Sequence, residues 1–133
     1  MNRCASLVLA LAAAALAPMA ASAQDHQSLQ RNFPQTALRG EILFGTPPAI
    51  KLNGHVMQMA TAYRVHGYNN LLVMSTQLVG VQADVDYTLD VGGQVNEVWL
   101  LTPAEAARQP WPETPAQAAA WTFDPFGQTW TKP

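Results

Sequence analysis

Between residues 37 and 101, apolar and polar positions alternate with a period of two. That is the spacing of strands with one buried face. Leu38, Ile42 and Phe44 alternate with Arg39, Glu41 and Leu43, and Gly40 marks a bend. Ile50-Lys51-Leu52 and His55-Val56-Met57-Gln58-Met59 flank Asn53-Gly54. Asn-Gly between two alternating runs predicts a type I′ hairpin, because both central residues need positive φ. A two-residue loop pairs Leu52 with His55 and Ile50 with Met57, so Ile50, Leu52, His55, Met57 and Met59 share one face. Residues 63–66 stay extended, residues 67–70 turn, and residues 71–78 (LLVMSTQL) read as a further strand. Val81, Ala83, Val85, Tyr87, Leu89 and Val91 then alternate with Gln82, Asp84, Asp86, Thr88 and Asp90, the clearest half-buried strand in the chain.

Gly92-Gly93 turns this strand into the last one, which ends at Leu101. A three-residue loop with Gly93 left-handed sets Leu89 opposite Val95 and Val85 opposite Trp99. A two-residue loop points Val98 and Leu100 inward instead. Both faces of this strand are apolar, so a second element has to cover it. The tail is suited to that. Thr102-Pro103-Ala104-Glu105 and Thr114-Pro115-Ala116-Gln117 read as capping boxes with Pro at the first helical position. Each opens a short Ala-rich helical turn towards Trp111 or Trp121. Trp111, Trp121, Phe123, Phe126 and Trp130 are costly to leave in water. The fold expected is mainly β: a small antiparallel barrel, SH3-like or OB-like, over residues 37–101. Residues 102–133 form a Pro/Ala/Trp-rich segment packing on it, with short helical turns.

The amino terminus gives the address. Arg3 precedes an apolar run at residues 7–17, Pro18 ends it, and Ala21-Ser22-Ala23 offers a small-x-small cleavage site. A membrane anchor needs roughly 20 apolar residues. The pattern is that of a secretory signal peptide, residues 1–23, and places the chain in the periplasm or outside the cell, with no membrane span once it is cleaved. Residues 24–36 are polar, without either hydrophobic period, and read as a flexible arm with Phe33 as a docking point. The single cysteine, Cys4, leaves with the leader, so disulfides and thiol chemistry play no part in the mature chain. Seven Lys and Arg stand against nine Asp and Glu, a net charge of −2. No basic stripe exists to neutralise phosphates, which argues against nucleic acid as a partner.

Candidate chemistry is sparse. His55-x-Met57-x-Met59 places three residues on one strand face, and thioether and imidazole ligands suit Cu(I). His66 and Met74 are possible additions by folding. The pattern resembles the His/Met sites of small periplasmic copper-binding barrels, over these few residues. The same face is the expected core face, and methionine fills cores. Asp84, Asp86 and Asp90 share a strand face; without the Gly and Glu of an EF-hand loop they read as a solvated face. Glu97 is expected opposite Tyr87 on the inner face, with no acid or histidine placed near it for acid–base work. Trp111, Trp121 and Trp130, with the other tail aromatics, form either a carbohydrate or protein-binding platform or the cover of the last strand. No Gly-x-Ser-x-Gly, His-Glu-x-x-His, phosphate loop or dinucleotide fingerprint occurs, so an enzyme is the least supported class.

LRGEI (38–42), LNG (52–54), NNLLVM (69–74), LVG (78–80) and EVWLLTPAEAA (97–107) resemble small exported proteins of Gram-negative proteobacteria that have no assigned function. The resemblance implies export and a small β fold, and brings no catalytic or binding residues. The function expected is a non-enzymatic periplasmic binding or accessory module whose partner is an envelope protein or a cell-wall component. The alternative is a Cu(I)-binding protein using His55, Met57 and Met59.

Overall fold

The computed structural model describes residues 30–133. The expected leader, residues 1–23, and residues 24–29 of the polar arm lie outside the described residues. Five strands close into a barrel: β1 Leu38–Phe44, β2 Ala49–Leu52, β3 His55–His66, β4 Gln82–Leu89 and β5 Val95–Leu100. β1, β2 and β3 form an antiparallel meander, and β4 returns to lie antiparallel to β1. That is a Greek key. β5 fills the remaining gap, antiparallel to β4 and parallel to β3. Five strands closed in this way are the OB arrangement rather than the SH3-like one. The barrel therefore has one parallel seam, where an antiparallel barrel was expected. A parallel pair needs a long crossover, and β4 with its two connections supplies it.

The Asn-Gly hairpin forms as the pattern predicts, with φ of 51° at Asn53 and 81° at Gly54. Ile50 pairs with Met57 and Leu52 with His55. At the β4–β5 turn Gly93 is left-handed, with φ 78°, and Asp90 accepts hydrogen bonds from the backbone N–H of Gly92 and Gln94. Leu89 pairs with Val95, yet Val85 pairs with Leu100 and Tyr87 with Val98. A bulge lies between the two halves, as Thr88 pairs with Glu97 and Leu89 with Val95. Each of the two registers read from the sequence thus holds on one side of that bulge. Because of it, Glu97 lies opposite Thr88 rather than Tyr87.

The barrel interior is apolar, with Leu38, Tyr87, Val98 and Val65 in one cross-strand row. On the outside, one residue further along each strand, runs a second row of His66, Trp99, Asp86 and Arg39. The sequence placed Asp86 on a solvated face. It is instead fully buried, because the tail covers this side of the barrel. Arg39 answers its charge, with Nε donating to Oδ1 at 3.0 Å. The guanidinium also donates to the carbonyls of Ala106 and Arg108 and lies 4.8 Å from the centre of the Trp111 ring.

The tail contains two helical turns, α1 Pro103–Ala106 and α2 Pro115–Ala120, and a hairpin absent from the sequence reading, β6 Thr122–Asp124 and β7 Thr129–Thr131. The first capping box is complete. In the second, Thr114 caps the Gln117 N–H, but the Gln117 side chain accepts from Glu113 rather than from Thr114. Phe33, Ala37, Trp99, Leu101, Trp111 and Trp130 form a second core between tail and barrel, built largely of edge-to-face aromatic contacts.

Residues 30–36, read as part of a flexible arm, are pinned into this second core. Arg31 makes a bidentate ion pair with Glu105 at 2.6 and 2.9 Å and donates to the carbonyls of Gly67 and Leu100. Both partners are buried. The backbone N–H of Phe33 donates to the buried side chain of Gln128. A single arginine thus ties the amino-terminal strap to the β3–β4 connection, to the end of β5 and to α1.

Burial outweighs the Arg39 contact at Asp86 and lifts its pKa from 3.8 to about 6. The folded chain then holds this proton more tightly than the unfolded chain does. Stability falls as pH rises across that interval, by on the order of 3 kcal/mol. At Glu105 burial also acts upward, but hydrogen bonds from Arg31 and Thr102 prevail and the pKa lies below its usual 4.5. Its contribution is complete above that value and fades as pH falls. Thermal unfolding against pH should therefore peak at the acid end, around the ordinary values of 3.8 for Asp86 and 4.5 for Glu105, with a lower Tm at about pH 7.5 than at about pH 5. Asp86→Asn should flatten that decline. Arg31→Ala leaves Glu105 buried and unpaired, and urea unfolding should show a loss of roughly 3–5 kcal/mol.

Candidate functional site

The tail covers the β3–β5–β4–β1 side of the barrel and leaves the β1–β2–β3 side bare. On the bare side Leu43, Lys51 and Val56 form an outward row across the three strands. Val56 is 75% exposed because the strict alternation that buries Ile50 and Leu52 sends it to the other face. Beside it lies the end of the β3–β4 connection, where the Gly80 N–H bonds to the Phe44 carbonyl and the Phe44 N–H to the Val81 carbonyl. This holds Val79, 52% exposed, against the strands. A cleft of about 410 Å³ opens here, lined by Leu43, Ala49, Lys51, Val56 and Val79.

Further apolar side chains of that connection, Leu71, Leu72 and Met74, are equally open. Residues 71–78, read as a strand, form instead one bridge from Leu72 to His66 and a short 3₁₀ turn at Ser75–Gln77. The segment doubles back on its own strand, with the Val73 N–H bonding to the Val65 carbonyl and Ser75 buried against the Tyr63 hydroxyl. Doubling back buries Ser75 and spends the apolar residues outward. Leu72 is 64% and Met74 68% exposed, and with Tyr63 they line a second cleft of about 230 Å³ beside β3. Large apolar side chains gathered on one connection mark an interaction site more often than isolated ones do. Val91 and Phe126, exposed singly at turn tips, need no such account.

The expected copper residues do not share one environment. His55 is exposed at the hairpin tip, with Nδ1 3.1 Å from the Asn53 carbonyl. Met57 is half-buried against the core and Met59 lies inside it. His66 is engaged elsewhere: it stacks on Trp99 at 5.3 Å, and Nε2 meets Glu97 at 2.7 Å. The sequence reading left Glu97 without a histidine neighbour, because strand order decides that β3 lies beside β5. Of the tail tryptophans expected at a partner surface, Trp111 and Trp130 are buried in the second core. Trp121 alone is half open.

Among the described residues, no helix is long and apolar enough to cross a membrane. Within the same span no three His, Cys, Asp or Glu side chains gather at one point. The chain is thus a small OB-type barrel with one face sealed by its own tail and an apolar face left open. No protein-family model, curated protein or solved structure matches it.

Titration with Ag(I), a redox-inert stand-in for Cu(I), checks where the methionines stand. At one equivalent the Met74 methyl should shift in an NMR spectrum and the Met59 methyl should not. A joint shift of His55, Met57 and Met59 would contradict this placement.

Proposed function

We propose that this chain is an exported, non-enzymatic accessory module that docks a partner protein of the cell envelope on its bare β1–β2–β3 side. The observation that carries the reading is the contrast between the two sides. The tail brings three tryptophans and Phe123, and the strap adds Phe33, to cover one apolar face, while Val56, Leu72, Met74 and Val79 stay in water on the other. Exposed apolar area of this kind is retained where a partner removes it from solvent. Lys51 and Arg64 stand beside the two clefts and give the surface a basic rim, which favours a partner with carboxylates around an apolar centre.

Association through this surface is testable without altering the fold. Val56→Glu with Val79→Glu places two charges in the larger cleft, and Leu72→Glu with Met74→Glu does so in the smaller. All four positions are surface sites, so Tm should stay within a few degrees of the parent. A protein recovered with the parent chain from a detergent-solubilised envelope extract should be lost with at least one of the two pairs. Equal recovery with both pairs, or none with the parent, would end the docking reading.

A further inference from the structure

We infer a second binding site on the sealed side, a glycan subsite in the cleft between the turn at residues 109–113, α2 and β7. It does not depend on the docking face. The cleft measures about 280 Å³ and is lined by Gln109, Glu113, Gln117, Trp121 and Lys132, with Arg39 and Trp111 at its base. The base is rigid. Arg39 is held by Asp86 and two carbonyls and lies against the Trp111 ring, whose Nε1 donates to the Ala37 carbonyl at 3.1 Å. The walls are not spent in the same way. Among the described residues, Gln117 uses only Oε1, accepting from the Glu113 N–H at 2.8 Å, which leaves its NH₂ group free. The Glu113 carboxylate and the Gln109 amide have no partner there. Among the described residues the Lys132 ammonium has no hydrogen bond or ion pair, and it lies 5.2 Å from the centre of the Trp121 ring.

A half-open indole beside two amides, a carboxylate and an ammonium matches what a sugar ring presents. The ring's C–H face is apolar and packs on an aromatic wall. Its hydroxyls donate and accept in the ring plane, where planar amides and carboxylates meet them in pairs. The mixed charge of Glu113 and Lys132 opposes a polyanion. The ligand class that fits is a glycan of N-acetylated amino sugars, since an acetamido group asks for an amide partner next to an apolar wall. Gln117 and Trp121 provide both. Lys132 is exposed at the chain end, and its flexible stem lets the ammonium leave the indole when a ring enters.

The test is a titration of the full chain with triacetylchitotriose, with maltotriose as the counter-probe, followed by the tryptophan indole N–H signals. The expected result is a saturable shift of the Trp121 indole with a Kd in the millimolar range or tighter, and a markedly weaker response to maltotriose. Gln117→Ala and Glu113→Ala, neither of them a buried side chain, should weaken binding about tenfold each, close to the usual scale of a lost polar contact to a bound ligand. The Val56→Glu, Val79→Glu pair should bind the sugar as the parent does, even if it loses its protein partner. No indole shift with chitotriose, an equal response to maltotriose, or unchanged binding in both polar variants would overturn the assignment.

Discussion

β5 has no face to give to water. Val95, Val98 and Leu100 point into the barrel, while Trp99 and then Leu101 point out, and all are buried. A closed barrel buries only the inner set. The outer set obliges the chain to continue past the barrel and fold back over it, and much of the remaining architecture follows from that. The tail brings Trp111 and Trp130 into one cluster with Trp99, and Phe33 of the strap packs against both Trp99 and Trp111. Covering this face also traps polar groups that came with the strand pattern. Asp86 and Glu105 are buried with it, and Arg39 and Arg31 are the groups that make their burial tolerable.

The parts of this fold legible in the sequence are those fixed by neighbours. The Asn-Gly hairpin, the left-handed Gly93, the first capping box and the alternation of β4 all depend on residues within a few positions of one another. The apolar character of both faces of β5 announced a cover and pointed to the tail. The parts that were not legible depend on which strands meet. Strand order sets His66 beside Glu97, buries Asp86 under the tail and makes the β3–β5 seam parallel. Arg31, in a polar stretch without hydrophobic period, carries no local signal of its ion pair with Glu105, 74 positions away. Residues 71–78 misled for a different reason. A cluster such as Leu71-Leu72-Val73-Met74 is ordinarily read as a buried strand, and here Leu71, Leu72 and Met74 are exposed.

That mismatch carries the functional account. Of the apolar side chains of the β3–β4 connection, Leu78 packs on the barrel core while Leu71, Leu72, Met74 and Val79 stay exposed, whereas Trp111 and Trp130 of the tail are buried. The tail tryptophans, which the sequence left open between platform and cover, divide along the same line. Trp111 and Trp130 are cover, and Trp121 keeps an open face among unspent polar groups. In the proposed reading the molecule has two working sides: a bare apolar one for a protein and a small polar cleft built by the same tail that seals the barrel.

The most direct measurement compares two substitutions by chemical denaturation, Trp111→Ala on the sealed side and Val56→Glu on the bare one. The account predicts a loss of roughly 3–5 kcal/mol for Trp111→Ala, the usual cost of emptying a large core site. It predicts a change within about 0.5 kcal/mol for Val56→Glu, as for a surface position. Comparable losses would mean that Val56 serves the fold after all and the bare face is not held in reserve for a partner. A negligible loss for Trp111→Ala would mean that the tail does not seal β5.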